Sequence, residues 1–125
     1  MNPEQRVFTE IRGICKTLYG DSVYDYNPPE GTAYPFIRIG EQFKQNRRLH
    51  KENLNGDTQV TLHFWHNNVG QRGTLTKMMH DVETALIDSY GVEGEEMTSR
   101  VLEDTSTAIT LLHGILEINI KRYKN

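Results

Sequence analysis

Apolar residues recur at helical spacing near the start of the chain, where Val7, Ile11, Ile14, Cys15 and Leu18 fall on one stripe. Asn2-Pro3-Glu4-Gln5 supplies a start: Asn2 can cap free amides, Pro3 suits the first helical position, and Gln5 stands where a capping box wants Glu or Gln. With Gly20 as a stop, the pattern predicts a helix over about 3–19. Residues 21–35 carry Asn27-Pro28-Pro29-Glu30-Gly31, too rich in breakers for helix or strand, and are expected to be a loop. The pattern then changes to alternation. Phe36–Gly40 reads as a strand with Ile37 and Ile39 on one face. Thr58–Trp65 reads as a second, with Val60, Leu62 and Phe64 on one face and Thr61, His63 and Trp65 on the other. Between them, Phe43 to Gly56 is polar and basic and is expected to be a solvated loop.

A turn at Asn67-Asn68-Val69-Gly70 leads into a second helical stripe, Leu75, Met78, Met79, Val82, Leu86 and Tyr90, closed by Gly91. Met97 to Glu103 suggests a short strand of mixed facing, and Asp104-Thr105-Ser106 a turn. The last strand is expected from about Ala108 to Arg122. Its two faces are Leu112, Gly114, Leu116, Ile118, Ile120 and Leu111, His113, Ile115, Glu117, Asn119. Apolar residues on both faces of its first half predict a central strand, covered by helices on one side and partly by something else on the other. The order α-β-β-α-β-β predicts an α+β fold: a two-layer sandwich of two helices on a mainly antiparallel four-stranded sheet. No linker separates two apolar cores, so residues 1–125 are expected to form a single domain.

Composition narrows the function classes. Hydrophobic residues are 36% of the chain, which predicts a modest core and makes self-association or docking on a partner a natural completion. Fourteen Lys and Arg against 17 Asp and Glu give a net charge of -3, which argues against a nucleic-acid coat. The apolar runs are a few residues long, far short of the roughly 20 that span a bilayer. The opening MNPEQRVF lacks the basic and apolar blocks of a secretory signal. The one cysteine, Cys15, allows no internal disulfide and no cysteine-rich zinc site, and it falls on the core stripe of the first helix. A cytosolic setting is expected.

Chemical motifs are sparse. His63 and His66 are three apart, which on a strand points them to opposite faces, so they cannot readily share a metal. His63 and His113 can meet only if their strands are neighbours in matching register. No HExxH, paired CxxC or GxSxG pattern is present. Gly70-Gln71-Arg72-Gly73-Thr74 lacks the spacing and the lysine of a phosphate-binding loop, and reads as the start of a helix. No catalytic residue, metal or cofactor is expected. Charge layout says more. Lys44, Arg47, Arg48 and Lys51 form a basic run without an acid, whereas Asp81 to Asp104 holds eight acids and the single base Arg100. Two patches of opposite sign suit head-to-tail pairing of subunits, and such contacts generate rings when the rotation closes.

Several segments carry a resemblance. Ala33-Tyr34-Pro35-Phe36-Ile37-Arg38-Ile39-Gly40-Glu41 resembles the "ypyv-x-lge" strand of the tail-completion, or tail-terminator, proteins of long-tailed bacteriophages and prophages. Val60-Thr61-Leu62-His63-Phe64-Trp65 is similar to that family's "vtlhvw" strand, and Leu75 to Leu86 falls where it has its second helix. Asp104-Thr105-Ser106-Thr107 and His113-Gly114-Ile115-Leu116-Glu117-Ile118 resemble its closing "d…t-x-hgvl-x-f" strand. The motifs are collinear over most of the chain.

The resemblance implies a structural protein, not an enzyme. Its members assemble, usually as a hexameric ring, on the head-proximal end of the tail tube. They stop tube polymerisation and present a surface to the head connector or head-closure protein. Genome DNA passes through the lumen, and no membrane is involved. The implied setting is the host cytoplasm during assembly and then the virion neck. On this reading, Lys44, Arg47, Arg48 and Lys51, with Glu93, Glu95 and Glu96, are the expected subunit or head–tail contacts. The alternatives are another neck component, such as a head-closure or adaptor protein, and a small cytosolic enzyme with a pocket near His63, Trp65 and His113.

Overall fold

The structure is a computed structural model that describes residues 3–48, 54–90 and 97–123. The first helix, α1, spans Pro3–Tyr19 and buries Val7, Ile11 and Cys15, the i, i+4, i+8 series that its sequence predicts. Leu18 was expected on that stripe but is 41% exposed. It lines a groove between the helices where the residues opposite, Ala85 and Ser89, are too small to cover it. The second helix, α2, spans Arg72–Tyr90 and buries Leu75, Met78, Met79, Val82 and Leu86. It starts from a short 3-10 turn at Val69–Gln71, where the Asn68 side chain accepts from the Gly70 N–H at 2.9 Å. The Gly70–Thr74 segment is thus a helix start.

Two tyrosine–carboxylate bonds tie the helices together. The Tyr19 hydroxyl donates to Asp81 at 2.7 Å, and the Tyr90 hydroxyl donates to Glu10 at 2.8 Å. Each bond joins the end of one helix to the middle of the other, so α1 and α2 run antiparallel. Both lie on one face of the sheet.

The described residues form five strands: β1 Val23–Tyr24, β2 Phe36–Arg48, β3 Leu54–His66, β4 Met97–Asp104 and β5 Leu111–Tyr123. Their order is β1-β2-β3-β5-β4. The fold is α+β, as expected, but the sheet is five-stranded and mixed rather than four-stranded and antiparallel. The additional strand, β1, pairs parallel to β2 through Val23↔Ile37 and Tyr24↔Arg38. Two residues carry no readable periodicity, and only the pairing with β2 makes them a strand. A second correction concerns the basic stretch. Residues 43–48 and 54–56 of it are strand rather than loop, the rest lying outside the described residues: β2 runs on to Arg48 and β3 begins at Leu54, paired as Lys44↔Thr58 and Arg48↔Leu54. β5 continues alongside to Asn55↔Tyr123. Ladder hydrogen bonds hold this backbone extended without an apolar face to announce it. The last strand also starts three residues later than expected: beyond the turn in which Asp104 accepts from the Ser106 N–H and hydroxyl, the Thr107 hydroxyl donates to the Ile109 carbonyl and the chain does not extend until Leu111.

β5 lies between β3 and β4, the central place that its two apolar faces predict. Its inward residues Leu112, Leu116 and Ile118 are fully buried against the helices, with Val60, Leu62 and Phe64 of β3 and Ile37 and Ile39 of β2 beside them. Gly114 belongs to the same row. A Cβ there would stand 2.5 Å from Met79 Sδ and 3.2 Å from Phe64 Cβ, so the missing side chain is the space that α2 fills.

Candidate functional site

The face of the sheet turned away from the helices carries the polar and aromatic residues of the alternating pattern. Cross-strand register brings them into rows: Phe36↔Trp65↔His113↔Leu102, and next to it Arg38↔His63↔Ile115↔Arg100. The loop before β2 folds over one end of this face. Phe36 is buried there beneath Tyr34, at 5.2 Å between ring centroids, and Tyr24, at 5.8 Å. Between loop and sheet lies a cavity of about 700 Å³, walled by Pro28, Pro29, Tyr34, Trp65, Asp104 and Leu111. This loop is the partial second cover that the apolar outer positions of β5 anticipate.

His63 and His113 meet on the cavity floor, as the sequence permits only for neighbouring strands in register. His63 Nδ1 and His113 Nε2 are 2.7 Å apart, a direct hydrogen bond between diagonal neighbours. His113 stacks on Trp65 with 3.8 Å between centroids and 9° between planes. On its other side His63 Nε2 lies 3.4 Å from Glu41 Oε2. These contacts select one tautomer pair. A carboxylate only accepts, so His63 carries its proton on Nε2 towards Glu41; its bare Nδ1 then accepts from the Nε2–H of His113.

Glu41 reaches this position through a β-bulge. Ile39 pairs with Leu62 and Gln42 with Val60, so Gly40 and Glu41 together oppose Thr61 alone. The extra residue re-aims the Glu41 side chain towards His63. Gly40 makes room for the imidazole: a Cβ there would stand 2.6 Å from two atoms of the His63 ring and 3.2 Å from the Thr61 carbonyl oxygen. Glu41 and Gly40 had no part in the sequence reading of the site. The one signal that could have found them is a glycine inside an otherwise alternating strand.

Electrostatics at the floor are mixed. Burial holds His113 below its ordinary pKa of 6.5; electrostatic repulsion from His63 and Arg100 adds to this, and Asp104 and Glu41 oppose it. Glu41 is held below the ordinary carboxylate range. Burial works against that shift, and a backbone hydrogen bond with the His63 contact outweighs it. Arg38 lines the same cavity, with its Nε buried and without a hydrogen-bond partner. His66 is on the opposite face, as its spacing from His63 predicts. It is buried against the helix layer at 8% exposure, its Nδ1 unpartnered. Among the described residues no group of three or more His, Cys, Asp and Glu is arranged to hold a metal ion. No helix among them is long and apolar enough to cross a membrane.

The expected charge contacts are only partly placed. Lys44, Arg47 and Arg48 stand along the distal half of β2, at the positions facing Thr58, Asn55 and Leu54 of β3. Lys51, Glu93, Glu95 and Glu96 lie outside the described residues. In the acidic half of the chain, Asp81 is already engaged by Lys77 at 2.8 Å as well as by Tyr19.

No protein-family model and no curated protein matches the chain. A solved structure does. A chain from the virion of a native gene transfer agent particle superposes with a TM-score of 0.61 over 93% of this chain and 92% of that one, at 14% sequence identity. At that identity the likeness is one of fold.

Proposed function

We propose that this protein is a structural component of a phage-like virion. In finer terms, it caps the head-proximal end of the tail tube and provides the surface on which the head joins, acting through ring self-assembly. The observation that carries this reading is the fold likeness to a chain of a gene transfer agent virion, which extends over nearly the whole of both chains. The collinear tail-terminator-like motifs point the same way. Its partners are then further copies of itself, probed first as a hexamer, together with the tail-tube protein and a head-connector or head-closure protein. Genome DNA passes through the lumen, and the protein performs no catalysis.

The β2–β3 arm suits this role. An antiparallel strand pair that continues well beyond the short strand β4, with Lys44, Arg47 and Arg48 along it, offers a ladder-stiffened projection for a neighbouring subunit or the head. Lys51, Glu93, Glu95 and Glu96 complete the proposed set of charged contacts. The deciding experiment incubates the purified protein with tail tubes that lack it. Tubes should stop growing and become competent to join heads. If they keep polymerising and never join, the terminator reading is wrong.

The His63–His113 contact beneath a cavity favours one second reading, a small enzyme. H63A and H113A variants that still join tails to heads at the native level would leave the structural reading standing. A turnover that both variants abolish, in a protein that never joins tails, would replace it.

A further inference from the structure

We propose that His63 and His113 form a two-imidazole site for a divalent transition metal of the imidazole-preferring class: zinc(II), nickel(II) or copper(II). The two ring nitrogens already face each other across adjacent strands at 2.7 Å, with only 25° between the ring planes. Tetrahedral nitrogen ligands about 2.0–2.1 Å from zinc stand about 3.3 Å apart, so the nitrogens need to part by roughly half an ångström and both rings to pivot, until lone pairs that now face each other head-on converge on one point. Both nitrogens can present lone pairs without loss of neutrality. His63 keeps its proton on Nε2, facing Glu41, and His113 moves its proton from Nε2 to Nδ1. The metal sits to one side of the line between the two nitrogens, which no longer share a hydrogen, and no net proton is released above the imidazole range.

Three features make this more than a chance meeting of two histidines. Glu41 accepts from the distal nitrogen of His63, the carboxylate–histidine arrangement that orients a ligand and raises its basicity at metal centres. A β-bulge is spent on bringing Glu41 there, and Gly40 is kept bare beside the ring. The second imidazole is clamped face to face by Trp65. Together these keep the two imidazoles next to each other before any ion arrives.

Among the described residues no third side chain completes the set. The remaining coordination positions therefore fall to water, for which the cavity of about 700 Å³ leaves space. Glu41 and Asp104 add negative charge, while Arg38 and Arg100 oppose it, so selectivity rests on the nitrogen donors. Hard cations such as magnesium, which want oxygen, are excluded.

The test uses the full chain in a non-chelating buffer at pH 7.5, titrated with nickel(II), zinc(II) and magnesium(II). Trp65 is the one tryptophan of the sequence and touches a proposed ligand, so its fluorescence reports occupancy directly. One equivalent of nickel(II) should quench it, calorimetry should give the same stoichiometry for zinc(II), and magnesium should do neither. H113Q should abolish both signals. E41Q keeps both imidazoles and should weaken zinc binding about 10-fold or more. H80Q, on α2, should behave as the native protein. H113Q leaves Gly40 and Glu41 in place beside His63, and circular dichroism checks that it folds. The proposal is overturned if the native protein shows no quenching and no heat. It is equally overturned if the signals persist in H113Q, which would place the ion elsewhere, or if E41Q binds as tightly as the native protein.

Discussion

At the scale of single residues, two glycines do work that their surroundings define. Gly40 is a space for the His63 ring and Gly114 a space for Met79. At Gly114 the intruding sulfur belongs to a flexible side chain that can swing aside, although Phe64 Cβ at 3.2 Å is less able to move. At Gly40 the ring is held between Glu41 and His113, and the Thr61 carbonyl is backbone. G40V should therefore cost about 1–3 kcal/mol of stability in denaturant melts and shift the Trp65 emission, because displacing His63 disturbs the stack. A melt and spectrum identical to native would show that the bulge has slack. Cys15 is a residue-scale matter of a different kind. Burial among Val7, Ile11 and the sheet pushes its thiol up to about 12, so it is neither ionised nor reachable near neutral pH. A thiol reagent at pH 8 should label it at the rate of unfolding rather than at the rate of a free thiol. Prompt labelling of native protein would contradict the buried position.

At the scale of elements, the helix pair was legible in outline and the arm was not. The stripes of α1 and α2 are long, periodic and buried, so spacing alone marks their inward faces. What spacing cannot supply is the mutual orientation of the helices, set here by the Tyr19–Asp81 and Tyr90–Glu10 bonds. Burial together with the Asp81 carboxylate pushes the Tyr19 hydroxyl up to about 12, and burial with Glu10 raises Tyr90 as well, so both remain donors through the physiological range. Y90F should cost about 1 kcal/mol in urea melts. The Y19F/Y90F double variant should melt at a lower temperature than Y90F alone. Equal melting of the two would mean that the Tyr19 bond is not maintained in solution. The basic stretch misleads because strand recognition relies on alternation, and alternation records a buried face. Its backbone is extended by the ladder from β3, which β5 supports in turn.

At the scale of the whole molecule, pH and assembly are the observables. The native state holds His113 below 6.5, so on acidification the unfolded chain takes up a proton that the folded chain refuses. Stability should fall as pH drops below 6.5 towards the lower native value. Glu41 acts in the same direction at more acidic pH: its contribution is present above its ordinary value and is lost as pH falls through its depressed native one. Melting curves from pH 7.5 to 5 should slope downward, and H113Q should flatten the part just below 6.5. An unchanged slope in H113Q would assign the pH dependence to other groups. For assembly, reversing both arginines in R47E/R48E should weaken ring formation or head joining, with the deficit growing at low ionic strength. Assembly and docking at native levels in that variant would remove charge pairing from the proposed contact.

Sequence alone determined the elements that bury a periodic apolar face: α1, α2, the cores of β2 and β3, and the central place of β5 with its doubly apolar first half. It also separated His63 from His66, because a period of two admits no other outcome. Tertiary structure decided everything that depends on which strands are neighbours. It recruited β1 by pairing two residues with β2, carried the basic stretch outward as strands, and set β3 beside β5 in the register that joins His63 to His113. It also placed a bulge where Glu41 could reach His63. The reason is common to these cases: a buried stripe is a property of one segment's own spacing, whereas a ladder, a register and a bulge exist only between two segments far apart in the chain.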